Sequence, residues 1–158
     1  MPRMLRRLFL LPLMLMLPLS APAAEPVRVT DAWARATVPG QKVAGVYMQI
    51  ASPVDGKLVA VSTPIAAQAE VHSMKMEGGM MKMRPVKALE LPAGTTVKLE
   101  PGGLHVMLFG LEGPIAGQQF PLTLTVEMQG GRKRDVTVQV RVRGKEQEAG
   151  AGGGHDHH

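Results

Sequence analysis

The 158-residue chain carries 18 Lys and Arg against 13 Asp and Glu, five His, twelve Met and no Cys. Without cysteine there is no disulfide framework, no thiolate zinc site and no blue-copper centre, each of which needs that sulfur. Aromatic residues make up only 3% of the chain and three of the positive charges sit in its first 23 residues, so neither base stacking nor a nucleic-acid footprint is expected.

Residues 1–23 combine Arg3, Arg6 and Arg7, an apolar stretch from Leu8 to Leu19 broken by Pro12 and Pro18, and the small residues Ala21 and Ala23. This is the pattern of a cleaved secretory signal peptide, too short and interrupted to persist as a stable membrane span. The expected destination is the periplasm, and with no cysteine after the leader no lipid is expected there. Removing the three leader arginines leaves fifteen basic against thirteen acidic side chains, a net +2. Residues 24–144 then form one domain of sufficient size to bury a core.

Along that domain, short β-rich runs alternate with Gly and Pro punctuation at 27–35, 45–51, 57–62, 69–76, 80–89, 95–100, 104–110, 120–129 and 134–143. No amphipathic helix is apparent, and only Ala66, Ala67 and Gln68 suggest a single turn. The spacing predicts an all-β sandwich or barrel. Trp33 and Tyr47 read as core packing, and Asp31 either caps a turn or pairs with Arg35. Leu122, Leu124 and Val126 alternate with Thr123 and Thr125, and Val136, Val138 and Val140 with Thr137 and Gln139, which predicts a hairpin around Gly130 and Gly131. The Arg132, Lys133, Arg134 cluster reads as the solvated end of that hairpin.

A second hairpin is predicted around Gly78 and Gly79, and here the alternating residue is methionine. Five of the eight methionines beyond the leader, Met74, Met76, Met80, Met81 and Met83, fall within ten residues. A two-residue Gly-Gly turn pairs positions whose numbers sum to 157, so Met74 faces Met83, and His72 faces Pro85 with Met83 on the diagonal at roughly 7 Å. Downstream, His105 and Met107 flank Val106 in an apolar strand and project from one face. Imidazole with neutral thioether is a soft donor set that suits Cu(I), whereas zinc sites take thiolates and imidazoles and Mg or Ca sites take oxygen. Packing is the competing account of a methionine patch. Lys75, Glu77, Gly78, Gly79 and Lys82 interrupt it, however, and they describe an exposed hairpin tip better than a core strand.

From His72 the chain runs ten residues to Met83, twenty-one more to His105 and one more to Met107. This spacing resembles the copper-binding signature of the periplasmic PCuAC copper chaperones. The stretches Asp31 to Ala36, Ala44 to Met48 and Gly102 to Leu108 extend the similarity from about Val27 to Arg143. The resemblance implies a cupredoxin-like β-sandwich that binds Cu(I) through His72, Met83, His105 and Met107. It also implies delivery to the copper subunit of cytochrome c oxidase, directly or through another periplasmic copper chaperone. Met74 is outside that ligand set and reads as a neighbour or transfer stop.

Residues 145–158 are Gly-rich and cannot bury a core, so they read as a flexible tail whose His155, Asp156, His157 and His158 suit Cu(II). An enzyme is not expected: residues 24–144 hold only two histidines and lack a nucleophile elbow, a His-Glu-x-x-His motif and a phosphate loop. The alternatives are a periplasmic copper storage or tolerance protein and a non-metal interaction sandwich that uses the methionine hairpin as a contact.

Overall fold

The computed structural model describes residues 26–144; the leader and the histidine tail lie outside the described residues. Ten strands occupy them: β1 Arg28–Arg35, β2 Val43–Ala51, β3 Gly56–Ser62, β4 Ala66–Glu77, β5 Met80–Pro85, β6 Leu89–Leu91, β7 Thr96–Leu99, β8 Leu104–Leu111, β9 Gln119–Met128 and β10 Lys133–Arg143. No helix among the described residues is long and apolar enough to cross a membrane. Hydrogen bonds link nine strands in the order β5-β4-β8-β2-β1-β10-β9-β3-β6, with β7 continuing the second edge of β2 beyond β8.

The β1–β10 pair is parallel, and it joins the half of the sheet that ends in β5 to the half that ends in β6. The sheet curls until β3 packs on β4. That seam lacks a ladder and leaves a groove of about 400 Å³ lined by Leu58, Val61, Val71 and Val86, among others.

Alternation decides what fills the interior. Val46, Met48 and Ile50 of β2, Val106 and Leu108 of β8, and Leu122, Leu124 and Val126 of β9 are buried, while the residues between them face outward. Each fully buried Val or Leu stabilises the fold by about 1.5–3 kcal/mol relative to exposure. β9 and β10 form the predicted antiparallel hairpin, with Leu124 opposite Val136.

Four local expectations need correction. Ala66 to Gln68 open β4 and pair with β8 instead of turning. The run predicted at 80–89 divides, because β5 stops at Pro85, which has no N–H to extend the ladder, and Leu89 starts β6. Asp31, at φ 52 in a β1 bulge, directs its carboxylate to the Arg143 guanidinium at 2.8 Å, with that of Arg141 at 3.9 Å, instead of capping a turn. Trp33 and Tyr47 stand half-buried on the outer face of the sheet, opposite the core residues Ala34 and Val46.

Candidate metal centre

β4 is the strand that builds the site, because it changes partners along its length. Residues up to Ser73 pair with β8, residues from His72 onward pair with β5, and His72 belongs to both ladders. It lies opposite His105 on one side and Pro85 on the other. The two imidazole centroids are 6.0 Å apart on the outer face. Met107, two residues beyond His105 and opposite Glu70, takes the adjoining position on the same face.

Both imidazoles are buried although they face away from the core, His72 at 8% and His105 at 5% exposure. Aromatic rings shelter them: Phe109 is 5.7 Å from His72, Tyr47 is 6.4 Å from His105, and Trp33 packs on Tyr47 at 4.6 Å under the Arg143 guanidinium. Gly45, opposite Met107, makes room for Tyr47, since a Cβ there would come within 2.8 Å of the tyrosine hydroxyl.

Hydrogen bonds set the tautomers. His72 Nε2 lies 3.0 Å from a Glu70 carboxylate oxygen, which as a carboxylate only accepts, so Nε2–H donates and Nδ1 keeps its lone pair. That Nδ1 is buried without a partner, the only such side-chain nitrogen or oxygen among the described residues. His105 Nδ1–H donates to the Gly103 carbonyl at 3.1 Å, which leaves Nε2 as the free donor atom. An orphaned buried acceptor costs free energy unless something occupies it, and a metal ion is a natural occupant. No group of three His, Cys, Asp or Glu side chains able to hold a metal occurs among the described residues. The thioethers of Met107 and Met83 lie on the same face, one rung from the His72–His105 pair on either side, and are soft donors.

Met83 is placed differently. The hairpin has the expected register, Met74 opposite Met83 and His72 opposite Pro85, with Gly78 and Gly79 at φ 59 and 79 forming the turn. Met83 thus lies on the Met74 side of His72 and Met107 on the Glu70 side. Four residues of β4 separate those levels, about 13 Å along a strand. His72, His105 and Met107 come together through the β4–β8 ladder. Met83 is 44% exposed on the β5 arm, one rung beyond His72 on the same face. Sequence reasoning did not single out Glu70, and it assigned Tyr47 to the core instead of to the shelter of His105. The Glu-x-His spacing on a strand was the available signal for Glu70, since residues two apart share a face.

The LpqE-like family, described as "Putative lipoprotein LpqE-like", matches residues 27–142. "Putative lipoprotein Lxx21020" of Leifsonia xyli subsp. xyli is 32% identical over 103 residues, which cover 64% of this chain and 62% of that protein. The chain thus spans under two thirds of that relative's length. Among solved structures, Cu(I)-DR1885 from Deinococcus radiodurans superimposes with a TM-score of 0.58 at 33% identity, covering 76% of this chain and 80% of that one. The apo PCuAC domain of PmoF1 gives 0.61 at 24% identity over 77% and 97% of the two chains, and the copper-bound PCuAC domain of PmoF2 gives 0.60 at 23% over 77% and 96%. The chain belongs to the LpqE-like family and has the cupredoxin-like, all-β fold of PCuAC domains.

Proposed function

We propose that this protein is a Cu(I) metallochaperone of the cell envelope, with His72, Met83, His105 and Met107 as the ligands of its cargo. The observation that carries the reading is the cross-strand imidazole pair with the orphaned Nδ1 of His72, and Met107 stands one rung away on the same face. Cu(I) accepts low coordination numbers and soft donors, so the sheltered trio of His72, His105 and Met107 serves as a partial site and Met83 completes it from the exposed side of the hairpin. Glu70 orients His72 and puts one negative charge next to a monovalent ion. Release is then a ligand exchange that starts at the exposed Met83, where an incoming thiolate or thioether meets least obstruction.

The copper-bound relatives support the choice of metal. Delivery to the copper centre of cytochrome c oxidase is the client step we infer from the signature spacing. The names of the relatives speak of lipoproteins, which supports the cell envelope, and we assign the chain to the periplasm on the pattern of residues 1–23. The tail histidines His155, His157 and His158 are proposed as a separate Cu(II) site.

The test is anaerobic Cu(I) titration against a chromophoric chelator, followed by mixing with a purified oxidase copper domain. We expect one tight equivalent, weakened at least about 100-fold, some 2.7 kcal/mol, in His105→Ala or Met107→Ala proteins that still fold. Copper retained by the loaded protein in the presence of the acceptor points to storage, and affinity unchanged in both variants overturns the ligand assignment.

A further inference from the structure

The β4–β5 arm extends past the imidazoles, and its two faces differ in kind. The register pairs Met74 with Met83, Lys75 with Lys82, Met76 with Met81 and Ser73 with Arg84. Strand alternation therefore collects Met74, Met76, Met81 and Met83 on one face, and Lys75, Glu77, Lys82 and Arg84 on the other together with Met80, which lies opposite Glu77. The charged face is internally paired: Glu77 takes two hydrogen bonds from Arg84, at 2.8 and 3.0 Å, and has Lys82 at 3.6 Å. The other face offers solvent nothing but thioethers along its two outer rungs. Met76 is 64% exposed, Met81 46% and Met83 44%.

A face meant only to be apolar has no reason to be uniformly methionine, because β-branched and aromatic residues favour strands more. What the four positions share is a neutral sulfur donor on an unbranched, adaptable stem. Cross-strand Cβ atoms lie about 5 Å apart, which lets the sulfurs of Met76 and Met81 converge on one soft ion. Successive rungs are about 6.6 Å apart, so the Met76–Met81 rung is one step from Met74–Met83 and two from His72.

We propose that Met76 and Met81, assisted by Met74, form a second, weaker Cu(I) site at the tip of the arm, from which copper passes to Met83. Occupancy of this outer site stands by itself, and only the direction of transfer rests on the reading of the inner centre. The outer site is the weaker because it has no imidazole and because Lys75, Lys82 and Arg84 outnumber Glu77 behind it. A weak neutral site at the exposed end and a stronger one beneath rings give the ion a downhill path inward.

The experiment uses the full chain with ¹³C-methyl methionine and an anaerobic Cu(I) titration under chelator competition. The terminal histidines leave the methionine methyl signals of the hairpin untouched, so each step is assigned by residue. We expect the Met107 and Met83 methyl resonances to move with the first equivalent, and those of Met76 and Met81 with a second that binds at least about 100-fold more weakly. A Met76→Leu/Met81→Leu protein, close in volume and shape, should lose the second step, keep the first and load more slowly from a dilute Cu(I) complex. Stationary Met76 and Met81 methyls at two equivalents, or an unchanged second step in the double variant, overturn the proposal and leave the face as a surface for protein contact. A second step that appears without the first defeats the inner centre and leaves the outer site standing.

Discussion

The β9–β10 and β4–β5 hairpins obey the same local rules and come to opposite uses. Each turns at a Gly-Gly pair with positive φ, and each alternates an apolar with a polar residue. In β9 the alternating residues Leu122, Leu124 and Val126 are fully buried. In the β4–β5 arm Met76, Met81 and Met83 occupy the equivalent positions and face solvent. Periodicity therefore specifies a strand and its two faces, and residue chemistry specifies what the apolar face is for: branched aliphatics fill a core, and thioethers left in water offer donors.

The largest effect that tests this contrast is in the buried hairpin. Leu124→Ala should cost about 2–5 kcal/mol in denaturant unfolding, because it leaves a cavity among fully buried neighbours, while copper stoichiometry of the folded fraction stays the same. Met83→Leu should show the reverse, a loss of Cu(I) affinity of about tenfold to 100-fold with stability within about 0.5 kcal/mol; an equal stability loss in both variants would erase the distinction. A smaller effect is expected at the turn. A Cβ on Gly78 meets nothing within 4 Å, so Gly78→Ala pays only for its φ of 59, about 1 kcal/mol, read as faster amide exchange along β5.

The smallest effect concerns the charged face. The Arg84 guanidinium holds the Glu77 carboxyl below its ordinary value of 4.5 against desolvation, with Lys82 and Lys75 helping. A depressed carboxylate stabilises the arm above that ordinary value, and the contribution is lost as pH falls through the lowered one. Amide exchange in β5 should accelerate in that acidic window, and Glu77→Gln should abolish the acceleration while leaving global stability essentially unchanged.

Much of this was legible in the chain. The β4–β5 register follows from its Gly pair, the β9–β10 pairing from alternation, and the all-β architecture from the spacing of the runs. Three features were not. Ala66 to Gln68 lack the β-branched side chains that mark a strand, and they extend only because β8 lies alongside. The parallel β1–β10 pair joins segments about a hundred residues apart, and no local pattern encodes it. The apposition of His72 and His105 is likewise a product of the β4–β8 ladder, so the sequence indicated two donor pairs without showing that their imidazoles are neighbours. Trp33 and Tyr47 were misread for a related reason: large aromatics pack wherever a surface is available, and here the outer face of the sheet provides one.

That outer face has a practical consequence. Trp33 is the only tryptophan in the chain, and one tyrosine ring separates it from His105. An ion arriving at the imidazole alters the surroundings of Tyr47 and, through it, those of the indole, so ultraviolet emission should report loading and unloading in real time without a dye.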